Sequence, residues 1–269
     1  MEINNIWNMI KFNLKTNKKS LIGWSAAIFL ATTLYIILFP SMNEVASLEL
    51  KSMPEELLSF IGMESFADLS DWTTYFSMMF ALLITVVSIF AAIFSSSLIN
   101  KEEKTGSMEF LNSLSVSRGE IYLSKFLTSL IGIVLVAGTC LGTGIICGVI
   151  NGGDTFDLMK VVMAGKIAIF VPFFFGGVAF FLSSCSKKLG SAVFGSGIVI
   201  VSYMIGYLGD LLEDKGKFLL NFSPFNKFSI IKVTDMNNDL WILLLGYGII
   251  YIILIILGKI FFQKRDLNL

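Results

Sequence analysis

The sequence predicts an all-α, polytopic membrane protein, and three observations lead to that fold class. Of the 269 residues, 55% are hydrophobic and only 15% are charged, which is less charge than a soluble domain of this length needs to cover its surface. The hydrophobic residues are gathered into six long blocks that contain no Asp or Glu. The chain also has no histidine, which excludes a Ser–His hydrolase and removes the usual general base and zinc ligand.

Ahead of the first block, residues 1–19 predict an amphipathic helix. Ile6 and Ile10 fall on one face at helical spacing, and Lys11 and Lys15 fall on the other. We expect this helix to lie along the inner surface of the membrane as a separate element.

Each of the six blocks is long enough to cross a bilayer as a helix, because the hydrocarbon core requires about 20 apolar residues. The predicted spans are approximately 21–39, 72–98, 126–150, 167–185, 189–209 and 240–262. Together with the segments between them, they form one transmembrane domain covering 1–269. In the fourth span, Pro172 predicts a kinked or broken helix.

The third span carries two pairs of glycines at GxxxG spacing, Gly138 with Gly142 and Gly144 with Gly148. This spacing permits two helices to approach closely. The pairs are interpreted either as contacts within the chain or as a dimer seam, and the sequence leaves both alternatives open.

The distribution of basic residues predicts the orientation. The N-terminal segment, the 100–125 segment, the Lys187–Lys188 turn and the C-terminal end hold 13 of the 20 Lys and Arg residues. Apart from Lys166, which borders the fourth span, the other three loops hold six bases and 14 acids. Excess Lys and Arg marks the cytoplasmic side. We therefore expect a multi-pass protein of the cell membrane with both termini in the cytoplasm. The net charge of zero does not indicate a nucleic-acid partner.

The absence of several motifs argues against some classes of function. There is no GxxxxGK[ST] sequence, so we do not expect the chain to hydrolyse ATP or act as an enzyme by itself, and no cofactor or metal site is predicted. The predicted spans contain no carboxylate, which disfavours an ion-coupled secondary transporter. Active transport would then need energy from another polypeptide.

The segment 100–125, "NKEEKTGSMEFLNSLSVSRGEIYLSK", is a polar hairpin between two apolar spans. After Gly106, an apolar stripe of Met108, Leu111 and Leu114 predicts a short helix. A helix this short is marginal alone and needs a surface on which to dock. The alternative is a solvated turn stabilised by local ion pairs.

This hairpin resembles the cytoplasmic signature of the permease subunits of type-2 ABC exporters, in the six-span drug, bacteriocin and sodium-export group. The matching residues are Glu102, Gly106, Ser107, Glu109, Leu111, Ser113, Val116, Ser117, Arg118, Ile121 and Lys125. Ser115 stands where that family commonly has proline. The "FSPF" sequence at 222–225 also resembles the Ser-Pro-Phe element that precedes the last span of these permeases.

The resemblance implies two cytosolic ATPase subunits that bind ATP and Mg, and a second permease copy or a paralogue in the membrane lipid. It implies that the hairpin is the coupling helix, with roles for Gly106 and for three kinds of contact. On this resemblance, the apolar contacts to the ATPase would be Met108, Leu111 and Leu114. The acids that pair with ATPase bases would be Glu102, Glu103 and Glu109. The residues that fix the hairpin against its own spans or lipid phosphates would be Arg118 and Lys125.

The predicted function is the outward movement of an amphiphilic substrate, such as a peptide, an antibiotic or a lipid-like molecule. We expect the segment 210–239, with Phe222, Pro224 and Phe225, to form the outer gate. The principal alternative is a membrane immunity or sensor protein that transports nothing.

Overall fold

The computed structural model describes the chain in segments that together contain helices and turns but no strand. These segments are 2–41, 72–105, 116–153, 156–159, 161–162, 165, 169–186, 192–220, 222–227 and 238–264. The helices with defined bounds are α1 (Glu2–Ile37), α2 (Trp72–Thr105), α3 (Arg118–Asn151), α4 (Phe170–Cys185), α5 (Ala192–Leu211), α6 (Glu213–Leu220), α7 (Pro224–Lys227) and α8 (Asn238–Lys264). The all-α prediction is confirmed for the described residues.

Helix α2 is the central element of the bundle, because it packs against α1, α3, α4 and α5. Its aromatic side chains form much of the core. Trp72 stacks on Phe76 with ring centroids 5.1 Å apart, and Phe90 stacks on Phe94 at 5.3 Å, as expected for residues four apart on one helix face. Helix α8 packs mainly on α4 and lies at the periphery, with only 6% of its most apolar stretch buried.

Helix α1 corrects one expectation from the sequence. The predicted surface helix 1–19 and the predicted span 21–39 form one continuous helix, because the polar run between them contains no glycine or proline. Within that run, the side chains of Thr16 and Asn17 donate hydrogen bonds to main-chain carbonyls one turn earlier. The helix is about 54 Å long at 1.5 Å per residue, which exceeds the roughly 40–45 Å of a whole bilayer. Its polar part therefore continues the span instead of turning along the surface.

The fourth predicted span, 167–185, is shorter in the structure. Helix α4 has 16 residues and measures about 24 Å, against roughly 30 Å for the hydrocarbon core. Pro172 lies in the first turn of α4, where its missing N–H removes no hydrogen bond within this helix, so the proline lies near the start of α4 and not in its interior. Among the described residues, five helices (α1, α2, α3, α5 and α8) are long and apolar enough to cross a membrane, and a sixth span stays a prediction.

The end of the bundle at which α2 finishes and α3 begins is called the hairpin end below. The polar parts of α1 and α8 lie at this same end. Lys101 of α2 donates a hydrogen bond to the side chain of Asn17 in α1 at 3.0 Å, and Arg118 of α3 donates one to the carbonyl of Gln263 in α8 at 3.1 Å. The end of α2 and the start of α3 are therefore held against the first and the last helix of the chain, respectively.

Candidate functional site: hairpin base and α5 groove

Helix α3 begins at the hairpin end with a capping box. The Ser117 hydroxyl oxygen accepts a hydrogen bond from the N–H of Glu120 at 3.2 Å, and the Glu120 carboxylate accepts one from the N–H of Ser117 at 2.7 Å. Glu120 precedes the apolar span, and the hydrogen bond from the Ser117 main chain lowers its pKa from the ordinary value. The Ser-x-x-Glu spacing is the sequence signature of such a cap, although the sequence-based prediction did not include Glu120.

Arg118 occupies the first turn of α3 and contacts the last turn of α8. Its guanidinium Nη1 is the donor to the carbonyl of Gln263. The next residue, Gly119, lies so close to α8 that a Cβ atom there would be 3.2 Å from Nε2 of Gln263. The start of α3 and the end of α8 are therefore held together by both hydrogen bonding and close approach.

Tyr122 makes a second contact between α3 and α8, one turn further along. Its hydroxyl donates to the main-chain carbonyl of Ile255 at 2.9 Å, and its ring lies 5.1 Å from Phe180 and 5.7 Å from Phe262 between centroids. Gly258 makes room for the hydroxyl, because a Cβ there would lie 2.5 Å from it. Sequence reasoning missed Tyr122, since a tyrosine at a span end is ordinary in membrane proteins.

Lys125 is 1% exposed, and its ammonium donates to the main-chain carbonyl of Ile99 in α2 at 3.4 Å. This geometry directs the lysine toward the neighbouring span and away from lipid phosphates. Four donor side chains thus join neighbouring helices at this end: α3 to α2, α3 to α8, and α2 to α1. They are called the hairpin base below and are Lys101, Arg118, Tyr122 and Lys125.

The other predicted coupling residues lie at or beyond the end of α2. Glu102 and Glu103 belong to its last turn, but their side chains are outside the described part of the structure. Five more predicted residues also lie outside the described residues, namely Gly106, Met108, Glu109, Leu111 and Leu114. Their contact with a partner stays a prediction.

The two GxxxG pairs of α3 have different surroundings in the structure. Added side-chain atoms at Gly144 would overlap the ring of Phe76, and at Gly148 they would overlap Trp72, so this pair serves packing within the chain. A Cβ at Gly138 or Gly142 would meet nothing within 4 Å. The outward pair leaves the dimer-seam hypothesis open for that face.

At the opposite end of the bundle, α6 folds back along the end of α5. The reversal depends on Gly216, where a Cβ would overlap the main-chain oxygen of Gly209. The chain then reaches Phe225, which is 9% exposed and stacks on Phe175 of α4 with ring centroids 5.2 Å apart. Its ring also meets Tyr203 of α5 edge to face at 5.6 Å.

The three residues of the predicted outer gate therefore occupy different environments. Pro224 and Phe225 are buried, whereas Phe222 is 59% exposed. Phe225 anchors the returning segment to α4 and α5, and Phe222 lies beside an open groove on α5.

This α5 groove has a volume of about 610 Å³ and follows the outward face of the helix. Its lining residues are Val193, Phe194, Gly197, Ile198, Val201, Ser202, Ile205 and Phe222. None of them is charged, and Ser202 contributes the one polar side chain among them. No pattern in the sequence distinguishes this groove, because the residues that face lipid are apolar as well.

One protein family matches nearly the whole chain, over residues 8–263, and its description is the multidrug efflux system permease Rv1217c, C-terminal domain. No curated protein is significantly similar to the chain. The family match agrees with the long apolar helices of the bundle. The chain is thus a multi-pass membrane permease that belongs to the family of the C-terminal domain of the multidrug efflux system permease Rv1217c.

Proposed function

We propose that the chain is the membrane-spanning subunit of an ATP-driven exporter of the type-2 ABC class. It moves an amphiphilic substrate outward, and it takes energy from two separate cytosolic ATPase subunits that bind ATP and Mg. The 100–125 hairpin is the coupling element. Membership of an efflux-permease family supports the transport part of this proposal, and the hairpin base supports the coupling part.

The hairpin base is the observation that carries the coupling argument. A force applied to a hairpin moves a bundle only if the hairpin is fixed to more than its own two helices. Here Lys101 ties α2 to α1, Arg118 and Tyr122 tie α3 to α8, and Lys125 ties α3 to α2. Displacement of the hairpin would therefore move four helices as one unit.

The remaining parts of the proposal concern orientation and assembly. The hairpin end faces the cytoplasm, because most of the chain's Lys and Arg residues fall in segments at this end. The outward glycines Gly138 and Gly142 suit close approach of a second permease copy or a paralogue. The returning segment around Phe222, Pro224 and Phe225 closes the path on the outer side.

Crosslinking tests the coupling role directly. In a chain whose Cys140, Cys147 and Cys185 are replaced by alanine, Leu111→Cys should crosslink to an ABC-type ATPase subunit that co-purifies with the permease from its native host. Ile150→Cys is the matched control, because Ile150 is 72% exposed at the other end of α3. Crosslinking from both sites, or from neither, would contradict the proposed coupling.

Transport by the purified complex tests the exporter proposal itself. Full-length permease in vesicles, combined with that ATPase, should stimulate ATP hydrolysis and move a fluorescent amphiphile only when ATP is present. A membrane immunity protein would instead protect cells equally well when the ATPase has lost its Walker lysine. That outcome would exclude the exporter.

A further inference from the structure

The polar part of α1 carries a row of lysines on the side that faces away from the bundle. All four side chains are exposed, and this lysine face consists of Lys11, Lys15, Lys18 and Lys19. At about 100° of rotation per residue, the four fall within an arc of roughly 100° around the helix. The opposite side of the same turns packs on the bundle, since Ile10 is 4% and Asn13 is 7% exposed. The lysines therefore point outward.

The charge of the lysine face is not balanced within α1. Between Glu2 and Glu44 the chain contains no Asp or Glu. The ammonium of Lys11 lies over the ring of Trp7 on its own helix, 5.3 Å from the ring centroid. The other three lysines of the face make no hydrogen bond or ion pair with any described residue. A cationic surface of this kind attracts anions from its surroundings.

The lysine face continues into the membrane as an apolar face on the same side of α1. Lys15, Ile22 and Phe29 follow one another at intervals of seven residues, and seven residues return to nearly the same side of a helix after two turns. Ile22 is 66% exposed and Phe29 is 50% exposed. A phospholipid whose acyl chains lie against Ile22 and Phe29 therefore has its headgroup beside the lysines.

The rise of the helix sets the depth of each lysine. The apolar block of α1 begins at Leu21. At 1.5 Å per residue, Lys19 and Lys18 lie about 3–5 Å beyond that block, within a headgroup layer that is roughly 5–8 Å thick. Lys15 lies about 9 Å beyond it, and its long stem can reach back to the phosphates. Lys11 lies about 15 Å beyond the block, outside the headgroup layer.

We propose that Lys15, Lys18 and Lys19 bind the headgroups of anionic phospholipids in the leaflet at the hairpin end. Each ammonium donates a charge-assisted hydrogen bond to a phosphate oxygen. A zwitterionic phospholipid also carries a phosphate, but its own cationic group offsets that charge, so the site selects lipids with a net negative charge. The site adjoins the hairpin base, because Asn17 in the same turns accepts the hydrogen bond from Lys101 at 3.0 Å.

Quenching of a fluorophore on α1 by nitroxide-labelled lipids tests the site. In full-length permease whose Cys140, Cys147 and Cys185 are replaced by alanine, Ile22→Cys carries a bimane on the apolar part of the same face. The protein is placed in phosphatidylcholine nanodiscs with a small fraction of nitroxide-labelled phosphatidylglycerol or nitroxide-labelled phosphatidylcholine. We expect phosphatidylglycerol to quench more strongly, and the ratio gives its relative binding constant. Bimane on Ile150→Cys, at the other end of α3 and 72% exposed, should show no such preference.

Substitution of single lysines separates headgroup binding from net charge. Lys18→Gln should lower the preference for phosphatidylglycerol about fivefold, which corresponds to about 1 kcal/mol for a lysine near an anionic surface. Lys11→Gln is the matched control, because it removes the same charge two turns further from the span, and it should change the preference little. Changing Lys15, Lys18 and Lys19 together to glutamine should abolish the preference, whereas changing all three to arginine should preserve it.

Several results would overturn the proposal. Equal quenching by the two lipids would leave the lysines as a signal for orientation alone. Equal losses in Lys11→Gln and Lys18→Gln would show an effect of net charge without a headgroup site. Loss of the preference when inorganic phosphate is added at constant ionic strength would assign the lysines to a free anion. Because no ATPase is present, each result is independent of whether ATP hydrolysis drives transport.

Discussion

The hairpin base and the α5 groove differ in how they use polar groups. At the hairpin base, Lys101, Arg118, Tyr122 and Lys125 each donate a hydrogen bond to another helix. In the α5 groove, Ser202 donates to none of the described residues. Since lipid offers no water to satisfy a polar group, a paired donor in the membrane can join two helices.

The same difference is visible in the glycines of the two regions. A Cβ atom at Gly258, beside the hairpin base, would lie 2.5 Å from the hydroxyl of Tyr122, whereas a Cβ atom at Gly197 in the groove would meet nothing within 4 Å. One region is closely packed between helices and the other is not. Close packing at the hairpin base is what the proposed coupling role requires.

The largest effect is expected at the segment that borders the groove. Phe225→Ala should lower the free energy of unfolding by about 3–5 kcal/mol, as for a buried aromatic residue, because Phe225 packs on Phe175 and Tyr203. Phe222→Ala, on a side chain that is 59% exposed, should change stability little. Titration of purified permease with sodium dodecyl sulfate measures both. Equal losses in the two variants would contradict the assignment of Phe225 as the anchor.

An intermediate effect is expected from a methyl group at the hairpin base. Gly258→Ala should destabilise the protein by about 1–3 kcal/mol through overpacking, because the new methyl group meets the Tyr122 hydroxyl. Gly246→Ala is the matched control on the same helix, since nothing lies within 4 Å of its Cβ position. Both variants share the gain in helix propensity, so the difference between their unfolding midpoints isolates the contact. No difference would show that α3 and α8 are not closely packed.

The smallest effect on stability is expected from the hydrogen bond of Tyr122. Tyr122→Phe keeps the ring and should lower the free energy of unfolding by about 1 kcal/mol. If the hairpin base transmits force, the same variant should also lower the rate of ATP-driven transport by the folded permease. Tyr251→Phe is the control, because the Tyr251 ring packs at 6.2 Å from Phe126 and its hydroxyl takes no hydrogen bond among the described residues. A transport loss shared by both variants would argue against a special role for Tyr122.

The sequence predicted the helical elements better than their boundaries. Long apolar blocks identified the major helices, and the clustered bases indicated that both termini and the hairpin share one side, as the contacts of Asn17 and Gln263 show for the first and last helices. The predicted boundary between the surface helix 1–19 and the span 21–39 is wrong, because the polar residues there belong to one longer helix. Pro172 was expected inside a helix, and it lies at the beginning of one.

By itself, the sequence determined that this is a membrane bundle, and it also contains the Ser117-x-x-Glu120 cap that begins α3, although the prediction began the third span at 126. Only the tertiary structure decided that Gly144 packs inside while Gly138 faces outward, and that Ser196 is paired while Ser202 is not. The physical reason is that hydropathy separates core from surface only when the surface is wet. In lipid, both faces of a helix are apolar, so the neighbours of each residue are set by packing alone.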